Sequence, residues 1–242
     1  MTQDPGPETA EQIIKNLHNF NRKERDHLMK FALSDSPSQP QLSKGLWRAI
    51  RPENSRRQRP NPDGIFVGMD YHLNWLYAAL MLPGTYEQDG MRHQPNQWPE
   101  YARTQKHAKR LPIEGNQEDV DLLVAFTGDK DMLHLALIEA KLTSGWNSKQ
   151  FRSKVGRLNL IRKAARGQKY AGPDIHWQFI LASPKPPENG AFSETSLAEM
   201  PRWIKAESKE GSSLRHFAFG PERFYQVKRE SSKGHYWQVQ LI

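Results

Sequence analysis

The clearest pattern in the chain lies in EDVDLLVAFTGDKDMLHLALIEAKL, residues 118–142, where two apolar runs flank the polar tetrapeptide Gly-Asp-Lys-Asp. Strand-forming residues on either side of a short turn predict a hairpin, with strands over 119–127 and 132–142. Helical periodicity governs the segments on either side. Glu8 to Ala32 places Ile13, Ile14, Leu17, Phe20, Leu28, Met29 and Phe31 on a common stripe, and Ser34 to Pro40 breaks it. GMDYHLNWLYAALML, 68–82, repeats the pattern through Met69, Leu73, Leu76 and Leu80 and is stopped by Pro83-Gly84. Residues 149–166 do so again through Phe151, Val155, Leu158, Ile161 and Ala165, with Arg162 on the same side. IHWQFILAS, 175–183, reads as a further strand ended by Pro184, Pro186 and Pro187. A last hairpin is expected from RFYQVKRE to HYWQVQLI across Ser-Ser-Lys-Gly. Residues 51–64 have the Pro, Asn and basic content of an exposed connector, 84–117 carry no readable period, and no repeats occur.

The apolar run LHLALIEAKL ends in two opposite charges, Glu139 and Lys141, where burial of an ionised side chain costs several kcal/mol unless it is paired or holds a metal. Side chains alternate along a strand, so these two share a face, about 6.5 to 7 Å apart along the backbone. Folding the hairpin about Lys130 puts Asp121 opposite Glu139, and directly opposed residues have Cβ atoms about 4.5 to 5.5 Å apart. Two carboxylates and an ammonium then meet at the end of a face formed by Leu123, Leu133, Leu135 and Leu137. Carboxylates that close repel one another unless a cation lies between them. Mg²⁺ suits such a pair, with the Ala140 carbonyl as a further ligand and substrate phosphate completing the shell. Lys141 would act on the attacking water or on developing charge, which makes the chemistry metal-assisted phosphodiester hydrolysis.

Asp121, a hydrophobic strand, Glu139-Ala140-Lys141 and then a helix beginning near Gln150 together resemble the PD-(D/E)XK nuclease superfamily over roughly residues 64–184. The resemblance implies an α/β fold: a central mixed β-sheet flanked by helices in the αβββαβ order of the restriction-endonuclease-like core. It implies that Asp121 and Glu139 bind Mg²⁺ or Mn²⁺ and that Lys141 assists the nucleophile. In some branches a Gln on the following helix joins the site, matched by Gln150, and so does an acid on the helix before the sheet, for which Asp70 is the nearest candidate. Val120 stands where the family's name has Pro. Asp119 is a rival to Asp121, on the same face but nearer the start of the strand. The expected organisation is an N-terminal helical region and linker (1–60), a nuclease-like core (61–187) and a C-terminal extension with the hairpin (188–242). The expected activity is hydrolysis of DNA phosphodiester bonds, the alternative being a catalytically inactive nucleic-acid-binding or assembly module on the same fold.

Charge bears on the partner. The 242-residue chain has a net charge of +8, and between Lys141 and Lys169 nine Lys and Arg occur without one Asp or Glu. On the helix in that stretch, Gln150, Lys154 and Arg157 form a row that could track a phosphate backbone, with Lys149 and Arg152 as further candidate contacts. The basic run Arg103 to Arg110 and Arg56, Arg57 and Arg59 could add nonspecific phosphate contacts, although flexible basic surface accounts for them as well. The expected partner is nucleic acid, DNA before RNA, with homodimer or larger complex left open. A second Glu-x-Lys, Glu207-Ser208-Lys209, lies in a polar stretch without strand character. Trp146 could stack on a base but is expected to cap the core, and His72 and His134 are expected to be packing or surface residues.

Composition removes other chemistries. The absence of cysteine excludes disulfides, thiolate zinc sites, Cys-ligated iron-sulfur clusters and a thiol nucleophile. No Ser-His-Asp grouping, phosphate-cradling Gly loop or zinc finger can be read. No run approaches the roughly 18 to 20 apolar residues of a membrane span, and MTQDPGPETAEQ lacks the apolar stretch of a signal peptide, so a soluble, cytoplasmic protein is expected. The hydrophobic fraction of 36% is low, yet ten Phe, seven Trp and seven Tyr supply enough aromatic surface for a folded core.

Overall fold

The computed structural model describes residues 9–33, 42–51, 64–81, 115, 118–142, 146, 148–167, 173–187, 192, 200–206, 213–220, 225–229 and 236–241. Three helices come first: α1 (Ala10–Phe20), α2 (Glu24–Leu33) and α3 (Lys44–Ile50). Strand β1 (Ile65–His72) then runs directly into α4 (Leu73–Met81). The central hairpin consists of β2 (Asp119–Thr127) and β3 (Leu133–Ala140), joined by a single 3₁₀ turn over Asp129–Asp131. Helix α5 (Ser148–Gly167) leads to β4 (Ile175–Ser183), and the later strands are β5 (Lys205–Ala206), β6 (Ser213–Ala218), β7 (Tyr225–Arg229) and β8 (Trp237–Leu241).

The fold is α/β, with helices on a mixed sheet ordered β1-β2-β3-β4-β6-β5. Strand β2 runs antiparallel to both β1 and β3, β4 and β6 run parallel to β3, and the two-residue β5 pairs antiparallel at the edge. The parallel β3–β4 step needs a long crossover, which α5 supplies. One face of the sheet carries Leu123, Leu133, Leu135, Leu137, Trp177, Phe179 and Leu181 under α1, α4 and α5. The opposite face carries Val124, Phe126, Ala136, Ile138, Ile180 and Ala182, packed with Trp47 and Ile50 of α3. Both faces being covered explains why β3 is apolar at nearly every position instead of alternating.

The hairpin register agrees with the sequence reading: Leu122 pairs with Ile138 and Thr127 with Leu133, which centres the turn on Lys130. Lys130 and Asp131 take positive φ there, 57° and 59°. The terminal hairpin also forms, with Val227 opposite Val239.

Two expectations are corrected. The helix expected over Glu8 to Ala32 is two helices, because the Asn21 side chain binds Asp26 Oδ2 (2.6 Å) and accepts the Lys23 N–H (3.3 Å), drawing the backbone out of the helix. The helix expected over 68–82 begins only at Leu73. Residues 68–72 belong to β1, where the paired edge of β2 overrides the local spacing of Met69 and Leu73. The Leu73 N–H, left without a helical partner, donates to the Glu118 carbonyl at 2.9 Å.

Candidate functional site

Asp121 and Glu139 stand at facing positions one step beyond the Leu122–Ile138 pair, at the end of the β2–β3 ladder. Asp121 finishes that ladder with its side chain: Oδ2 accepts the Ala140 N–H at 2.6 Å. Glu139 is buried, and its Oε1 is bonded to the ammonium of Lys154, which rises from α5 and is itself buried. Burial pushes the Glu139 carboxyl up to about 7, Lys154 pulls it back down, and the negative charge of Asp121 adds to the rise. Lys141, just past β3, is partly exposed; its N–H donates to the Ala182 carbonyl at 2.9 Å, continuing the β3–β4 pairing.

Glu139, Lys141, Trp146, Gln150, Phe151 and Lys154 line one cleft whose interior volume is about 20 Å³, room for one or two water molecules. The cleft thus gathers Glu139, Lys141 and Gln150 from a strand end and a helix start. Trp146 packs on the core, with its ring 6.3 Å from that of Phe192, and forms part of the cleft wall.

Asp70 does not lie on a helix. It sits within β1 at the level of Asp121, between the pairs Met69–Leu122 and Tyr71–Val120, so one row across β1, β2 and β3 reads Asp70, Asp121, Glu139. Its φ of 47° interrupts the alternation of β1, which is why both Phe66 and Tyr71 reach the same core. Asp119 is engaged elsewhere, in an ion pair with Lys23 at 3.2 Å.

The basic row on α5 does not form a single exposed strip. Lys149, Gln150 and Arg152 are exposed, but Lys154 is turned onto Glu139, and Arg157 is 1% exposed, bonded to Asn74 Oδ1 and 3.7 Å from Glu118 Oε2. Lys154 and Arg157 are therefore internal cations rather than surface phosphate contacts. A sequence signal for Lys154 existed: it lies three residues after Phe151 and four before Leu158, inside the apolar stripe rather than beside it. Ser153 Oγ donates to Glu118 Oε1 at 2.9 Å, so Asn74, Glu118, Ser153 and Arg157 extend the polar layer behind the cleft. None of these four was singled out by pattern except Arg157, because their meeting depends on how α4 and α5 lie on the sheet.

His72 and His134 are both buried, and burial lowers both imidazoles below the usual value, His134 to about 4. His72 packs edge-on to Trp75, and His134 stacks on Phe126. The runs at Arg103 to Arg110 and at Arg56, Arg57 and Arg59, and the second Glu-x-Lys at 207–209, lie outside the described residues.

Among the described residues no group of three or more His, Cys, Asp or Glu side chains stands close enough together to hold a metal. The donor types do suit a hard divalent cation: two carboxylates at adjacent register positions, with a main-chain carbonyl at Ala140 between Glu139 and Lys141. A cation's charge at Glu139 is supplied in this structure by Lys154. Among the described residues no helix is long and apolar enough to cross a membrane. Comparisons with protein-family models, with characterised proteins and with solved structures gave no significant match.

Proposed function

We propose that the chain is a metal-dependent nuclease that hydrolyses DNA phosphodiester bonds on a restriction-endonuclease-like core. The observation that carries this reading is the convergence at one sheet end of Asp121 and Glu139, at facing positions, with Lys141 and Gln150 on the Glu139 cleft. The element order supports it: α1, β1, β2, β3, α5 and β4 follow the αβββαβ sequence once α2 and α3, between α1 and β1, and α4, between β1 and β2, are set aside.

Asp121, Glu139 and the Ala140 carbonyl would hold Mg²⁺ or Mn²⁺, with Asp70 next along the row. When bound, that ion would supply positive charge to a phosphate oxygen and lower the pKa of water. The remaining work falls to the chain. The Lys141 ammonium, partly exposed at the cleft, is placed to offset charge developing on the phosphate and to hold the attacking water by donating to it. Gln150 offers an amide that can donate to the same water or to a phosphate oxygen. Exposed Lys149 and Arg152, at the start of α5, would hold flanking phosphates. Lys154 keeps Glu139 neutralised in the resting protein.

Purified protein incubated with linear, nicked, branched and single-stranded DNA under Mg²⁺ or Mn²⁺ should cut at least one substrate, and Glu139→Ala and Lys141→Ala should each reduce cutting by a hundredfold or more. Equal cleavage by wild type and both variants overturns the reading. The Glu139–Lys154 pair favours one alternative, a nucleic-acid-binding or assembly module without turnover, because a carboxylate already neutralised by a lysine does not need a metal. DNA binding with a steep salt dependence and no metal-dependent cutting would select that alternative.

A further inference from the structure

At the opposite end of β3 from Glu139, and on the other face of the sheet, two imidazoles meet. His134 of β3 and His176 of β4 occupy paired register positions, and their Nδ1 atoms are 3.2 Å apart. His134 and Glu139 are five positions apart, about 16 Å along β3. The pair is held in place rather than left to drift. His134 stacks on Phe126 with an interplanar angle of 13°, and its Nε2 edge lies against Gly128, where a Cβ would approach that nitrogen to 2.3 Å. Gly128 has a φ of −98°, which any residue adopts, so the glycine is needed here for space and not for its backbone angle. Any other residue at 128 would displace the ring.

We propose that His134 and His176 form a nitrogen-donor site for a transition-metal cation of the Zn²⁺ type, bound through their two Nδ1 atoms and independent of the carboxylate cleft. Two Zn–N bonds of about 2.05 Å at the tetrahedral angle span about 3.3 Å, so the observed separation already equals the bite that the ion requires. The ion would sit about 1.2 Å off the line joining the nitrogens, reached by a small rotation of the rings. Both imidazoles are held in the neutral form that metal binding needs: burial pulls His134 down to about 4, with the charge of His176 adding to the fall, and burial and then the charge of Arg215 lower His176. His176 is partly exposed, which leaves a side open for the waters that complete the shell. Gln178 follows His176 on the same face of β4, is 3% exposed, and has an Nε2 without a hydrogen-bond partner among the described residues. A zinc-bound hydroxide would accept from such a donor, whereas a zinc-bound water chiefly donates. Ligand type separates the two sites: imidazole nitrogen selects Zn²⁺, Ni²⁺ or Cu²⁺, whereas carboxylate and carbonyl oxygen suit Mg²⁺ and Mn²⁺.

The test is calorimetric titration of the full chain with ZnCl₂ at pH 7.5, using wild type, His134→Gln, His176→Gln and the double variant Asp121→Asn/Glu139→Gln, with circular dichroism to check folding. Binding of one Zn²⁺ per chain is expected in wild type and in the carboxylate variant, at least tenfold weaker in either histidine variant, with MgCl₂ producing no binding at this pair. Histidine ¹⁵N spectra of the wild type provide a reading that needs no variant: the Nδ1 resonances of residues 134 and 176 should move on Zn²⁺ addition. Absence of binding, unchanged affinity in both histidine variants, or Zn²⁺-induced shifts confined to other histidines would show that the contact is only a hydrogen bond between neutral rings, and the proposal would fall.

Discussion

At the scale of single residues, Glu139 decides the character of the cleft. Its carboxyl is raised from the usual 4.5 to about 7 by burial, so the ionised form is disfavoured in the folded state. The associated stability is present below about pH 4.5 and fades as pH rises through 7. Glu139→Gln cannot ionise; urea denaturation from pH 5 to pH 8 should therefore show the variant gaining on wild type by up to roughly 3 kcal/mol across that window. Lys154→Met should behave oppositely. With its partner gone, Glu139 must either protonate or stay charged without compensation, and breaking a buried pair costs about 3 to 5 kcal/mol when the remaining charge is retained. That loss should be largest at pH 8 and shrink toward pH 5, as read by the same denaturation series. His134 pulls the other way from Glu139: its lowered pKa stabilises the fold above about 6.5 and gives that stability up as pH falls toward 4. The pairing of Asp121 with Glu139 was legible from counting outward from Lys130, because an antiparallel hairpin with a tight turn has one simple register. The direction of Lys154 was not, since its row could equally have faced solvent.

Among the elements, β1 shows most plainly how tertiary pairing overrides local pattern. Met69, Leu73, Leu76 and Leu80 have helical spacing, yet the first of them lies in a strand because β2 offers a ladder from Ile65 to His72. The reversal is made at Asp70, whose φ of 47° is tolerated by Asp better than by most residues and is ordinary for Gly. Asp70→Gly should leave thermal stability within about 1 kcal/mol of wild type, whereas Asp70→Val should lower it by about 1 to 3 kcal/mol, because a β-branched side chain is strained in the left-handed region. Differential scanning calorimetry of the pair checks this, and if the chain cuts DNA as proposed, loss of cutting in Asp70→Gly at unchanged stability would add Asp70 to the residues proposed to hold the metal. Helix α5 illustrates the same limit from another direction. Its apolar stripe was readable, but a 20-residue helix carrying cations on several sides can be rolled on the sheet, and only packing of Phe151 on Phe179 and Phe192 fixes which cations turn inward.

For the whole molecule, the net charge of +8 and the acid-free stretch 141–169 suggested an anionic partner, and the fold divides that stretch between two jobs. Lys154 and Arg157 compensate acids inside; Lys149 and Arg152 remain outside. If DNA is the partner, replacing Lys149 and Arg152 together with Ala should reduce the slope of log K against log salt by about 2, since each phosphate contact contributes about 0.9. Fluorescence anisotropy across a salt series measures it, and Lys154→Met should leave the slope unchanged. The sequence by itself determined the hairpin, its register, the α5 and β4 segments and the meeting of Asp121 with Glu139, because all of these follow from local periodicity and from turn geometry spanning a few residues. Tertiary structure alone decided the β1 strand, the Lys154 ion pair, the burial of Arg157 against Asn74 and Glu118, and the His134–His176 contact. Each of those depends on surfaces brought together from distant parts of the chain, where the energy of burying and pairing polar groups outweighs any local preference.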